Sequence, residues 1–385
     1  MSTSIQTSAT TTHDAAALIE DARRFGRERV RDAVLDWESA GRLPQSFISA
    51  AVQRDLLRIQ VPREHGGLGH RYSVKMRVAE ALSEASMPVA FSVVNLHNVI
   101  AKLAVDAPPS VASEFVPTML SGERFGATAL SEPGAGSDFS AIATQATRDG
   151  EGWRLNGEKG WITNAAFADV FVMYAQTDAS KGGRGIACFL IDAQRDGFVR
   201  AAPERLFGAN VIGTGGFKLN DYYAPAEHLL HPAGEAFKKA LNSINGARTY
   251  VAAMCCGMVD DALAQAIAYG KSRHAFGRPL LSNQGLRWAL SDVATDLEAA
   301  RLLTYRAAEL VDDGAPDAIL AASHAKKYAA QMAERSLPVC IQGLGANGLR
   351  AANRLGHQLA GAKIAHYVDG STEIQNERIA ALLLD

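Results

Sequence analysis

The chain has 385 residues, 48% hydrophobic and 21% charged. That is enough apolar material for two or three packed layers or domains and too much for a disordered protein. Lysine and arginine number 39 against 41 aspartates and glutamates, so bulk charge gives no reason to expect nucleic acid or an anionic membrane as a partner.

The opening MSTSIQTSATTT is polar, with neither an apolar signal core nor the arginines of a targeting helix. It reads as a loose tail over residues 1–13, and no apolar run reaches the length of a membrane span. The four cysteines (Cys188, Cys255, Cys256 and Cys340) lack metal-ligand spacing, and the pair in AAMCCGM reads as small core residues. A reducing, cytoplasmic location is the expectation.

Residues 15–35, 45–56, 73–85 and 89–103 read as helices, rich in Ala, Leu, Val and Glu. Asp106-Ala-Pro-Pro-Ser110 is a break, with Ser110 expected to cap the next helix. From residue 122 to about 230 the period changes. Short β-type runs at 125–131, 141–148, 152–156, 161–163, 170–176, 186–191 and 217–219 are punctuated by Gly, Asn and Asp, as in a small antiparallel barrel or sandwich. Lys181-Gly-Gly-Arg-Gly185 is a turn between two of them. After His231 the chain turns helical again, with Leu286, Leu290, Val293, Leu297 and Ala300 at helical spacing. Helices of that length pack in bundles. The order is α, then β, then α.

Gly343-Leu-Gly345-Ala-Asn-Gly348 fits the dinucleotide fingerprint, with Asp369 at about the required distance downstream. Its context fails. A helical stretch precedes it, and too little chain follows for a nucleotide-binding sheet, so a tight turn between bundle helices is expected.

The segment Ser131-Glu-Pro-Gly-Ala-Gly-Ser-Asp138 reads as a strand end opening into a glycine-rich loop. Its backbone N–H groups can approach an electron-rich ring edge. Gly160-Trp-Ile-Thr-Asn164 adds a flat wall in Trp161 and a hydroxyl in Thr163. Together they suit a planar heterocycle docked against a barrel. His228 and His231 are three apart but have no third ligand nearby, so no metal site is expected.

These two segments, with Arg273-His-Ala-Phe-Gly-Arg-Pro-Leu280 and Asp369-Gly-Ser-Thr-Glu-Ile-Gln375, resemble in order and spacing the motifs of the acyl-CoA dehydrogenases, over essentially the whole chain. The resemblance implies an α+β fold: an N-terminal α-helical domain (1–121), a middle antiparallel β-barrel domain (122–231) and a C-terminal four-helix bundle (232–385). It implies FAD as cofactor and a homotetramer or homodimer. Leu130 and Ser131 would meet the flavin pyrimidine edge, and Trp161 and Thr163 its N5 side. Arg273, Phe276, Gln284, Gln342 and Gly345 would hold the ADP half for a neighbouring subunit, while Ser371 and Glu373 would touch the cofactor from the last helix. Arginine suits a pyrophosphate because its fork donates two charge-assisted hydrogen bonds. On the thioester side, Ser137, Asn245 and Arg248 match positions that contact coenzyme A, although Asn245 stands where aspartate is common. The substrate would be an acyl-CoA or an acyl-carrier-protein thioester, and the electron acceptor an electron-transfer flavoprotein or oxygen.

Where most members carry a catalytic glutamate, this chain has Asp369, shorter by one methylene. The alternative glutamate position of a second branch is Ala247. Val368, Ala360, Gly361 and Asn376 also depart from the pattern around the reacting centre. The expectation is α,β-dehydrogenation with Asp369 as α-proton base. The alternatives are an oxygen-using flavoenzyme of the same fold and a scaffold that has lost catalysis. A helix-capping carboxylate ahead of Thr372 is the structural alternative for Asp369, and His366 reads as a packed or surface histidine.

Overall fold

The computed structural model describes residues 7–384, with side chains from residue 15 onward. Helix α1 spans Thr7–Phe25 and so begins inside the stretch read as a tail. Once Ala22 and Phe25 are docked in the core, adding turns N-terminally fixes few further dihedrals per hydrogen bond. Residues 1–6 lie outside the described residues.

A π turn, Gly26–Val30, links α1 to α2 (Val34–Ala40) and α3 (Gln45–Gln53). Helices α4 (Tyr72–Ser83), α5 (Met87–Asp106) and α6 (Pro109–Leu120) complete the N-terminal layer. Ser86 caps α5, its Oγ accepting from Val89 N at 3.3 Å. The cap expected at Ser110 is not made. The helix starts at Pro109, with no side-chain cap, because proline presets φ for a first turn and gives up no hydrogen bond there.

Eight strands follow: β1 (Gly126–Ala129), β2 (Gln145–Asp149), β3 (Gly152–Ile162), β4 (Val170–Gln176), β5 (Ile186–Asp192), β6 (Phe198–Arg200), β7 (Gly215–Ala224) and β8 (Leu229–His231). They form one sheet in the order β6-β7-β3-β2-β4-β5-β8, with β1 added on β4. The sheet is mixed rather than wholly antiparallel, since β1 and β2 both run parallel to β4. The β2–β3 hairpin occupies the crossover length that a parallel β1–β4 pair requires.

The C-terminal region packs α7 (Ala236–Ser272), α8 (Gln284–Asp312) and α9 (Ala318–Gly343) side by side, with α10 (Leu355–Ala365) and α11 (Thr372–Leu384) against them. Leu290, Val293, Leu297 and Ala300 are buried along α8, as their spacing predicts. All four cysteines are buried and unpaired. The GxGxxG run is a turn, with a 3-10 segment Gly345–Leu349 between α9 and α10. By length and composition α5 and α7 could each cross a bilayer, contrary to the sequence reading, yet both are mostly buried. They are core helices with few charges.

Two buried polar joints hold these layers. Asn164, at the end of the β3 turn, receives Ser92 Oγ on its Oδ1 (2.6 Å) and donates Nδ2 to Ser92 O (3.0 Å), both residues being fully buried. A second chain runs from Ser86 Oγ to His357 Nε2 (2.7 Å) and from His357 Nδ1 to Glu38 (3.4 Å). Burial pushes His357 down to about 4, so the ring is neutral. Serine, histidine and acid stand here in hydrolase order, but Ser86 is sealed from solvent and has no route to a substrate.

Replacing Ser92 by Ala leaves Asn164 Oδ1 without its donor in a dry site and is expected to lower unfolding free energy by about 1–3 kcal/mol. Urea denaturation of Ser92→Ala beside wild type measures the loss, and an unchanged midpoint would show that the joint is not structural.

Candidate active site

Asp369 sits in the bend between α10 and α11, with φ +54°, followed by Gly370 at +90°. Such conformations are strained for a non-glycine residue and persist only where the surroundings impose them. Two cations impose this one through the backbone. Lys326 Nζ, fully buried on α9, donates to Gly370 O (2.7 Å) and His366 O (3.0 Å). Arg248 Nε on α7 donates to Asp369 O (3.3 Å). A side chain at 370 would press on Gln375 Nε2, which donates to Gly370 O at 3.0 Å. His366 braces the bend: its Nδ1 hydrogen-bonds Thr372 Oγ1 (2.8 Å), and its Nε2 lies 3.0 Å from the Glu334 carboxylate without a hydrogen bond to it.

The carboxylate itself is left over. Asp369 Oδ2 is buried and has no hydrogen-bond partner. Burial drives its pKa up from 3.8 to about 6, against the fields of Lys326 and Arg248 and an interaction with the Tyr250 hydroxyl. The capping reading fails, because Ser371 caps α11 instead: its Oγ accepts from Ile374 N at 3.3 Å. A carboxyl with one unsatisfied oxygen and a pKa raised toward neutrality is suited to take a proton.

Asn245 and Arg248 stand beside Asp369 on α7, both buried. Arg248 Nη1 donates to Asn245 Oδ1 at 2.7 Å, and Arg378 reaches the same oxygen at 3.4 Å. Burial, and then the nearby Arg378, lower Arg248 to about 10. Ser137 is exposed on the glycine-rich loop, and among the described residues no contact joins it to this pair.

On the sheet side, Gly160 N donates to Ser131 O at 3.2 Å, which brings the two motif segments together. The loop is fastened where it leaves β1. Lys159 Nζ donates to Leu130 O (2.9 Å) and to Glu132 (2.8 Å), whose carboxylate also accepts from Ala143 N and Thr144 N. Leu130, Ser131 and Thr163 are half-buried. Trp161 is 62% exposed at φ +60°, a large ring held outward on strained backbone.

Arg273, Phe276, Gln284, Gln342, Gly345 and Glu373 all lie on the outer face. Phe276 and Gly277, both at positive φ, form the tip of a two-residue hairpin between β9 (His274–Ala275) and β10 (Arg278–Pro279). The Phe276 ring is fully exposed, and among the described residues Arg273 has no ion-pair partner. A Cβ at Gly134, Gly136, Gly277 or Gly345 would meet nothing within 4 Å, so backbone there is open to a close-lying ligand.

These features fit FAD. An outward tryptophan beside exposed backbone suits an isoalloxazine, and a free arginine with exposed glycine backbone suits a pyrophosphate. Sequence reasoning missed Lys326, Tyr250, Lys159 and Glu132. Lys326, Tyr250 and Lys159 are ordinary residues of helices or a strand, with nothing in local pattern to mark them as facing the bend or the loop, and Glu132 lies inside the glycine-rich segment with nothing local to mark it as the anchor.

Descriptions of the acyl-CoA dehydrogenase N-terminal, middle and C-terminal domains match residues 12–123, 127–222 and 234–384. The chain is similar to the mitochondrial short/branched chain specific acyl-CoA dehydrogenase of Rattus norvegicus, 32% identical over 359 residues, covering 93% of this chain and 83% of that protein. It is 30% identical to an acyl-CoA dehydrogenase of Bacillus subtilis (strain 168), covering 94% and 96%. Among solved structures, butyryl-CoA dehydrogenase from Megasphaera elsdenii superposes with a TM-score of 0.91 at 28% identity, covering all of both chains. With three domain descriptions in register and an unpaired carboxyl at the bend before the last helix, the chain belongs to the acyl-CoA dehydrogenase family of FAD-dependent oxidoreductases.

Proposed function

We propose that the protein dehydrogenates an acyl thioester at its α,β bond, with Asp369 as the base that takes the α-proton. The observation that carries this reading is the buried, unpartnered Oδ2 of Asp369, held by a bend whose backbone, not its carboxylate, satisfies the neighbouring cations. Bound FAD supplies the hydride acceptor for the β-hydrogen. Lys326 and Arg248 stabilise the ionised base without covering it. Their fields keep its pKa near 6 rather than higher, so the carboxylate is ionised at neutral pH yet basic enough to be useful. Leu130, Ser131, Trp161 and Thr163 would hold the flavin ring, and Asn245 and Arg248 would face the thioester. CoA is the carrier that the family relatives support, and an electron-transfer flavoprotein is the proposed acceptor.

Aspartate reaches about 1.5 Å less far than glutamate. The proton is therefore met by moving the substrate or the bend, and the strained φ at residue 369 is the means available on this chain. Self-association into a tetramer is also proposed. Phe276, Trp288, Leu302, Leu349 and Tyr367, all in the C-terminal region, are more than half exposed, apolar surface that a subunit interface would cover.

Anaerobic mixing of the FAD-loaded enzyme with short acyl-CoA thioesters should bleach the flavin. Asp369→Ala is expected to slow bleaching about a thousandfold or more, and Asp369→Glu about a hundredfold, because a displacement of about 1 Å is costly in a positioned site. Bleaching unaffected by Asp369→Ala would remove this residue from the role. Substrate-dependent oxygen uptake without another acceptor would instead identify an oxidase.

The acid limb of kcat/KM should rise with pH through about 6, since the base works only when ionised. The same shift destabilises the fold. Between pH 3.8 and about 6 the native state holds the proton more tightly than the unfolded chain, so stability falls as pH rises through that window. Asp369→Asn is therefore expected to melt higher than wild type at pH 8 and at the same temperature near pH 4, measured by calorimetry; equal melting at both pH values refutes the raised pKa.

Light scattering of the purified enzyme should give about four chain masses, whereas a monomer at micromolar concentration would refute the assembly.

A further inference from the structure

A second polar cluster lies next to the candidate base and takes no part in the chemistry above. Lys75, on α4, is 5% exposed. Its Nζ donates to Asn98 Oδ1 at 2.9 Å and lies 4.4 Å from the centre of the Tyr72 ring and 5.8 Å from that of Tyr250. Among the described residues no carboxylate stands within ion-pair distance of it. Asp312 acts on it only through its field, because the Asp312 oxygens are engaged by Tyr72 N (2.6 Å), Ser73 N (3.0 Å) and Arg71 Nε (3.3 Å). A buried ammonium with one amide oxygen and two ring faces is poorly compensated. Burial accordingly pushes its pKa down to about 7.

The cluster also borders open space and continues to Asp369. Helix α5 is buried over most of its length, yet Asn95 and Asn98 stay half-buried, so the α5 face at Asn98 is reached by solvent. Asn98 Nδ2 donates to the Tyr250 hydroxyl at 3.3 Å, and Tyr250 interacts with Asp369. Lys75, Asn98, Tyr250 and Asp369 are thus linked contact by contact. An acyl chain placed with its α-carbon at Asp369 need extend only past one tyrosine to reach the ammonium.

We propose that Lys75 and Asn98 form an anion-binding end to the acyl cleft, so that the preferred thioester carries a second carboxylate at the far end of a short acyl chain. This rests on the thioester-dehydrogenase reading. A terminal carboxylate supplies the counter-charge Lys75 lacks, while a methyl terminus would press apolar surface against an ammonium.

The test compares glutaryl-CoA with pentanoyl-CoA, matched in chain length, on the FAD-loaded wild type and on Lys75→Met, which keeps side-chain volume and removes the charge. Calorimetry reads binding whether or not chemistry follows, and anaerobic bleaching reads turnover. Wild type should bind glutaryl-CoA at least about tenfold more tightly. Lys75→Met should weaken glutaryl-CoA about 10- to 100-fold, the range of a hydrogen bond to a charged group, and change pentanoyl-CoA by less than about threefold. Wild type that favours pentanoyl-CoA overturns the proposal even if the variant does not fold, and so does a variant that weakens both ligands equally. Selective binding of glutaryl-CoA without bleaching supports the anion site and refutes the dehydrogenase reading, so the two failures are distinct.

Discussion

The site depends on where two buried cations spend their hydrogen bonds. Lys326 and Arg248 both approach Asp369, and both donate to main-chain oxygens of the bend rather than to its carboxylate. Had either closed on the carboxylate, the pair would have pulled its pKa toward that of a salt-bridged acid. Gripping the backbone instead fixes a left-handed residue that would otherwise relax, and leaves one carboxylate oxygen unsatisfied. Strain and an orphaned acceptor are tolerated together here, as is common where a fold gives up some stability for chemistry.

Much of this was legible in the chain. The α, β, α order follows from the change of period near residue 122 and back near 231, and the glycine run at 343–348 is the interhelical turn that its helical context requires. Asp369 stands out in the sequence through the resemblance, which sets it where relatives carry a glutamate, and the structure puts it in a bend at positive φ. Long-range partners were not legible. Lys326 is one of two adjacent lysines on a helix, and Ser92 is a small residue on an apolar one; only packing brings the first to the bend and the second against Asn164. The parallel pairing of β1 with β4 was likewise hidden, because periodicity reveals a strand but not its direction. The expected cap at Ser110 failed for a local reason: a proline already in place makes a side-chain cap unnecessary.

A few buried polar joints help to hold the layers. Ser92 with Asn164 ties the sheet to α5, Lys159 with Glu132 anchors the glycine-rich loop, and Ser86, His357 and Glu38 tie the two helical regions. Each leaves an expensive unpaired group if one member is lost, so the joints specify one relative placement of the layers better than apolar packing alone.

Helix α5 acts as a ruler. Ser92 locks it to the turn that follows Trp161, and Asn98, about 9 Å further along the axis, donates to Tyr250 beside Asp369. The turn after β3 and the bend at Asp369 are therefore gauged from one rigid rod, and a shift of that rod would disturb both at once. Side chains that face the rod from α4 and α7 can change without altering the distance between the two.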